Sequence, residues 1–221
     1  MTPETPLQRA PLREQIYSIL RERILTGAIA PGQSVKDVQV AESLGASRTP
    51  VREALVRLTA EGLLINSVGR GFRAPPLVRR DVEEAHPLLT AFEPLALELC
   101  PPIKAAQLKQ LEAITKRAQR AKGDAVLLNE LDSRWHQTLI AGCPNGRLLK
   151  YIEEQRDTLR RYELAHLRER GEIAPSLTEH RAIAEAERIG ERATSIQLLT
   201  HHWSRGHDEL LARLPEEENE C

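Results

Sequence analysis

Pro75-Pro76 constrains this 221-residue chain more than any other feature. Two adjacent prolines cannot lie inside a helix, and they push Ala74 towards extended backbone. The chain is therefore expected to divide there, into residues 1–76 and 77–221. The charge divides with it. The whole chain carries 31 Lys+Arg against 32 Asp+Glu, a cancellation that by itself argues against a nucleic-acid partner. Residues 1–76 hold 10 basic and 7 acidic side chains, whereas residues 77–221 hold 21 and 25. A basic head is thus joined to an acidic body, and all 7 histidines belong to the body.

The remaining composition narrows the class. Apolar residues at 41% and charged residues at 29% suit a folded soluble chain. Aromatics at 3% argue against a β-sandwich and against a single-strand binder that stacks bases. No apolar run is long enough to cross a bilayer, so no membrane partner is expected. Met1-Thr2-Pro3-Glu4 has neither the basic nor the apolar segment of a signal peptide, and a cytoplasmic location is expected. Cys100, Cys143 and Cys221 are odd in number and far apart in sequence, which excludes a disulfide framework and a CxxC zinc site.

The head reads as three helices and a hairpin. Leu12, Ile16, Ile19, Leu20 and Ile24 recur at helical spacing, and Gly27 stops that helix. Ser34 is placed to cap a short second helix ending near Leu44, with Val40, Ala41 and Leu44 inward. Gly45-Ala46-Ser47 forms a turn. Thr49 then caps a third helix with Pro50 at its first position, and Val51, Ala54, Leu55 and Leu58 make its buried stripe. Leu63-Leu64-Ile65 and Phe72-Arg73 read as two strands around a tight Gly69-Arg70-Gly71 turn. Two short helices joined by such a turn form a helix-turn-helix. Arg48, Thr49 and Arg52 then face outward at the start of the third helix, where side chains enter a major groove. The planar guanidinium fork matches guanine O6 and N7, or two phosphate oxygens. Arg70, between two glycines, is in position to reach a minor groove or the backbone.

The body reads as all helix. Pro94, Pro101-Pro102, Gly123, Gly142 to Gly146, Gly171 to Pro175 and Gly190 punctuate it into about six helices. Asp132 and His136 are four residues apart and share a helix face, flanking the apolar seam Leu128, Leu131, Trp135, Leu139. His180 and His202 would be roughly 33 Å apart on one straight helix. An antiparallel hairpin turning at Gly190 instead brings them level. Taken singly, each histidine reads as a packed or solvated group. Together, one carboxylate and three imidazoles can converge on a divalent ion such as zinc, nickel or manganese. His202 is preferred over its neighbour His201 because it lies nearer the Ile196, Leu199, Trp203, Leu210 seam, with His207 as a reserve. His86 and His166 have no assigned role. Arg156, Arg160 and Arg161 are candidate anion partners, or a solvated basic face.

Two segments carry a family likeness. Ala46-Ser47-Arg48-Thr49-Pro50-Val51-Arg52-Glu53-Ala54-Leu55, with Arg57-Leu58 and Glu61-Gly62-Leu63, resembles the winged helix-turn-helix of the GntR family of bacterial transcription regulators. Gly27-Ala28-Ile29-Ala30-Pro31-Gly32 is similar to that family's turn after its first helix. Asp132-Ser133-Arg134-Trp135-His136, Asn145, Glu179-His180-Arg181-Ala182-Ile183 and His202 resemble the FadR-like subgroup, whose C-terminal domain is called FCD. The resemblance implies a mainly α fold: an N-terminal winged helix-turn-helix followed by an all-α bundle that binds effector and metal and forms dimers. It implies DNA contacts from Arg48, Thr49, Arg52 and Gly69. It also implies a divalent metal on Asp132, His136, His180 and His202, with a small-molecule effector, of carboxylate type, near Arg156, Arg160 and Asn145. Two positions depart from the pattern. Val38 stands where some relatives carry a DNA-contacting arginine, with Lys36 as the substitute, and Leu89 stands where many carry an arginine four residues before the match to Glu93.

The expected function is a metabolite-responsive repressor bound as a homodimer to a palindromic double-stranded operator, with half-sites on the order of 34 Å apart or somewhat less. Because the head has so little excess positive charge, binding should require two paired heads and be steeply salt-dependent. The alternative is a metal-dependent enzyme with a small N-terminal interaction module. No HExxH, nucleophile motif or separate general base supports it.

Overall fold

A computed structural model describes residues 11–67, 71–121, 123–170 and 174–214. The chain separates between Pro76 and Leu77 into two units, each with its own core.

The first unit contains α1 (Leu12–Leu25), β1 (Ser34–Val35), α2 (Asp37–Leu44), α3 (Arg48–Ala60), β2 (Ile65–Ser67) and β3 (Gly71–Arg73). Its core is built from one stripe of each helix: Ile16, Leu20, Ile24 and Leu25 of α1, Val40 and Ala41 of α2, and Val51, Ala54, Leu55 and Leu58 of α3. At roughly 1.5–3 kcal/mol for each large side chain removed from water, this stripe outweighs local propensity in holding α3 against α1. Ile19 and Leu12, expected inward, are 40% and 52% exposed, because Ile16 and Leu25 take the inner positions.

Three local expectations are corrected. Ser34 does not cap α2; it pairs with Arg73 while Val35 pairs with Phe72, giving a three-stranded antiparallel sheet in the order β1-β3-β2. Burial of Val35 beside Phe72 draws the segment into the sheet, and Lys36 takes the position flanking α2. Thr49 does not cap α3 either. Ser47 flanks the helix in extended conformation and Pro50 is its third residue, where the missing N–H has no helical partner to lose. Gly45 forms the turn between α2 and α3 with φ of 60°, and Ala46 N–H donates to the Ala41 carbonyl at 3.0 Å.

Among its described residues the second unit holds helices and their connections, with no strand: α4 (Arg79–Leu99), α5 (Ala105–Arg120), α6 (Ala125–Leu139), α7 (Gly146–Arg170), α8 (Ala174–Arg188) and α9 (Arg192–Leu211). α4 packs along α7 and α9, α8 folds back on α9, and α5 packs on α6 and α8. Pro94, expected as a break, lies inside α4 together with Pro87. Each proline removes one helical hydrogen bond, but burial of Val82, Ala85, Leu89, Ala96 and Leu97 holds the helix continuous. The hairpin at Gly190 is present. Gly190 has φ of 82°, and Glu191 N–H donates to the Ala186 carbonyl at 2.8 Å. Arg192, just beyond that turn, donates to the carbonyls of Leu97, Cys100 and Pro101, closing the C-terminal end of α4. No described helix is long and apolar enough to cross a membrane.

Candidate metal centre and nucleic-acid face

α6 carries Asp132 and His136, and the α8–α9 hairpin carries His180 and His202. One ring nitrogen from each of the three histidines lies within 4.8 Å of the other two, and all three side chains are buried. The Nε2 atoms of His136 and His180 are 3.3 Å apart. Two nitrogens bound to one tetrahedral ion at about 2.0–2.1 Å would be about 3.4 Å apart. Asp132 is at the rim, with Oδ1 3.5 Å from His180 Nε2 and Oδ2 3.9 Å from His136 Nε2. The donor set and spacing therefore fit a divalent metal.

The rings are oriented by groups outside this set. His136 Nδ1 donates to Glu93 Oε2 at 2.7 Å, and His202 Nδ1 donates to Glu179 Oε2 at 2.7 Å. An ionised carboxylate can only accept, so each Nδ1 carries a proton, and Nε2 is the ring nitrogen left to face a metal ion. His180 is stacked on Trp135 with centroids 3.8 Å apart and planes 4° from parallel. Burial lowers His136 below the usual histidine value, against the opposing pull of Glu93. Burial, with His202 and His136 adding to it, lowers His180 well below that value. Both rings are thus neutral at neutral pH, as metal ligation needs.

Glu93 is the centre of a buried network. It accepts from His136, from Arg156 Nη1 at 3.0 Å and from Trp203 Nε1 at 3.1 Å. Burial alone would raise its carboxyl, but His136, Arg156 and the indole N–H outweigh that and hold it at about 2. Arg156 also reaches Asp132 Oδ2 at 3.4 Å. Glu179 is gripped by Arg205 through two hydrogen bonds of 2.7 Å.

A cavity of about 90 Å³ opens beside His202 and Asp132, with Glu163, His86 and Glu209 also on its wall. Of the residues expected to meet an effector, Arg156 is buried and spent on Glu93 and Asp132, not part of a solvated basic face. Arg161 is buried as well. Arg160 Nε donates to Asn129 Oδ1 at 3.3 Å. Asn145 Oδ1 accepts from Leu148 N–H at 3.1 Å at the start of α7 and does not line the cavity. His201 is exposed, and His207 packs against His86 with ring centroids 5.1 Å apart.

In the first unit Arg48, Thr49 and Arg52 are exposed on the opening turns of α3, and Lys36 is exposed where α2 begins. Val38 is 42% exposed on α2. Arg48 Nη2 pairs with Asp37 Oδ2 at 3.0 Å, which ties the start of α3 to the start of α2. Gly69 and Arg70 lie outside the described residues.

Sequence reasoning named Glu93 only as a landmark and Glu179 only as part of a motif. Glu93 is 43 residues from His136, and no spacing rule joins them. Glu179 was more accessible: it precedes His180, and the Gly190 hairpin sets it opposite His202.

A helix-turn-helix head with an exposed basic helix, followed by a helical body with a cavity beside three converging histidines, is the layout of a DNA-binding regulator with a second domain for a ligand. Residues 12–73 match the model of the bacterial regulatory proteins of the gntR family, and residues 84–205 match the FCD domain. The chain belongs to the GntR family of transcriptional regulators and carries the FCD domain. It is 29% identical over 203 residues to the HTH-type transcriptional regulator YdhC of Bacillus subtilis (strain 168), covering 89% of both chains. It is 34% identical over 150 residues to the HTH-type transcriptional repressor RspR of Escherichia coli (strain K12), covering 65% of each. Among solved structures, the fold is similar to a transcriptional regulator GntR from Rhodococcus sp. RHA1, with TM-score 0.82, 18% identity and coverage of 92% and 99%. It is also similar to E. coli McbR/YncC, with TM-score 0.75, 21% identity and coverage of 93% and 99%. The chain is a regulator by family, not an enzyme, and the metalloenzyme alternative falls away.

Proposed function

We propose that this chain is a metabolite-responsive repressor that binds a palindromic operator as a homodimer, holds a divalent metal on Asp132, His136, His180 and His202, and takes its effector in the adjoining cavity. The observation that carries this reading is the convergence of three buried imidazoles, two of them fixed by carboxylates so that Nε2 points inward. When bound, the metal supplies a Lewis-acidic anchor for an effector donor atom. The chain's own residues do the rest: Glu93 and Glu179 fix the rings, Arg156 neutralises Glu93 and Asp132, and Arg48, Thr49 and Arg52 meet DNA with Lys36 beside them. Gly69 and Arg70 would add wing contacts. The effector acts by binding one arrangement of the two heads better than another, since equal binding to both would shift nothing.

The test is elemental analysis of the purified protein together with a gel shift on the DNA upstream of its own gene, with and without chelator. About one metal per chain is expected in the parent protein. In His180→Ala combined with His202→Ala, metal content should fall more than tenfold while operator binding and helical circular dichroism are retained. A parent protein free of metal after growth in metal-replete medium, or a double variant that keeps its metal, would overturn the metal assignment. Absence of any operator shift overturns the regulatory one.

α4 supports the homodimer. Its inner face is buried, yet Leu88, Leu95 and Leu99 on its outer face are 39%, 43% and 43% exposed, with Ala91 exposed between them. Apolar residues on both faces suit a helix covered by a second copy. Leu88→Glu with Leu95→Glu is expected to give monomers in sedimentation analysis and to weaken operator binding at least tenfold, because a single head then acts alone. A double variant that remains dimeric sinks this placement of the interface.

A further inference from the structure

Apart from a metal held by the histidines, the side chains of the cavity wall offer a ligand more negative charge than positive. The wall's charged residues are Asp132, Glu163 and Glu209 against a single arginine, Arg205. That arginine is spent: two nitrogens meet Glu179 at 2.7 Å, Nη1 meets Glu209 at 2.7 Å, and Nη2 also meets Ser176 Oγ at 3.1 Å. Arg156 is held by Glu93 and Asp132, and Arg160 donates to Asn129. Glu209 has Arg205, with His166 4.0 Å away. Glu163 differs. Its Oε2 accepts one hydrogen bond, from Asn129 Nδ2 at 3.3 Å, and among the described residues no cation lies within ion-pairing distance of it.

A second observation points to a ligand in the same space. His86 lines the cavity, is 1% exposed, and its Nδ1 has no hydrogen-bond partner among the described residues. A buried polar group without a partner destabilises the fold, and a ligand group that bonds to it recovers that loss. With Leu89 fully buried and apolar, that position supplies no positive charge.

We propose that the cavity selects a small ligand bearing a protonated amine, which Glu163 holds by an ion pair while Asn129 orients the carboxylate. A zwitterion of amino-acid type fits both ends of the site, its anionic end turned to the histidine cluster and its ammonium to Glu163. Burial, with the charge of Asp132 adding to it, pushes the Glu163 carboxyl up to about 7 against the opposing pull of Arg156, Arg160 and His202. This inference rests on the cavity being the effector site.

The test is isothermal calorimetry of the full-length protein with isosteric pairs in which only ammonium is exchanged for methyl: glycine with propionate, β-alanine with butyrate, and γ-aminobutyrate with pentanoate. At least one amino member is expected to bind tenfold or more tightly than its partner. Glu163→Gln should reduce that preference below threefold at unchanged metal content, and Glu163→Asp, which keeps the charge, should retain it. Equal or weaker binding of every amino member, no binding by any of them, or a preference that survives Glu163→Gln overturns the proposal. If calorimetry gives the amine preference and no bound ligand alters the gel shift, the effector reading fails and the amine site stands.

Discussion

Arg52→Ala is expected to abolish specific operator binding while leaving the fold and the metal content intact. Arg52 is exposed on the second turn of α3, clear of the core stripe Val51, Ala54, Leu55, Leu58. Loss of a bidentate arginine contact to a base costs roughly 1–3 kcal/mol per head, and so roughly 2–6 kcal/mol for a dimer on two half-sites. That is a fall of about thirtyfold or more. The unfolding free energy should change by no more than about 0.5 kcal/mol, as for other exposed substitutions. Fluorescence anisotropy with labelled operator and a thermal melt read the two effects separately. Unaltered affinity would mean that α3 is not the reading helix.

Glu93→Ala is expected to have the largest effect on stability of any single change in the body. The side chain is fully buried and satisfies three donors at once, from His136, Arg156 and Trp203. Its removal leaves the buried Arg156 guanidinium with one hydrogen-bonded carboxylate, Asp132 at 3.4 Å. Breaking a buried pair in this way costs roughly 3–5 kcal/mol. In a chain of this size each kcal/mol is worth about 2–4 °C, so the midpoint should fall by roughly 6–20 °C. Metal affinity should fall roughly 10–100-fold in the same variant, because His136 loses the acceptor that fixes its tautomer. Glu93→Gln keeps an acceptor for Nδ1–H and should lose less of both. A thermal melt and a competition titration with a chromophoric chelator check the pair. A destabilisation under 1 kcal/mol would show that Glu93 is not the keystone of this network.

Much of the architecture was legible because its signals are local. Pro75-Pro76 marks the division, Gly45 the turn between α2 and α3, and Gly190 the hairpin. Each is a statement about one residue's backbone. The seam Leu128, Leu131, Trp135, Leu139 is buried as its spacing required. The misses have a common cause. Ser34 looked like a helix cap and Pro94 like a helix break, yet both were overruled by partners distant in sequence: Phe72 and Arg73 for the first strand, and α7 and α9 for α4. Local propensity is worth tenths of a kcal/mol to about 3 kcal/mol, and burial of a large apolar face exceeds it.

By itself, the sequence determined the family, the two units, the exposed basic face of α3 and the four candidate ligands, because motif, periodicity and charge all act over short spans. Only the tertiary structure decided how those ligands are served. It brought Glu93 to His136 across 43 residues and Glu179 to His202 across 23. It removed Arg156 from the solvated surface and spent it on two carboxylates, and it placed Glu163 on the cavity wall with Asn129 as its hydrogen-bond donor. Charge compensation inside a bundle depends on which helices face each other across a few ångströms. A one-dimensional pattern records the charges but not their neighbours.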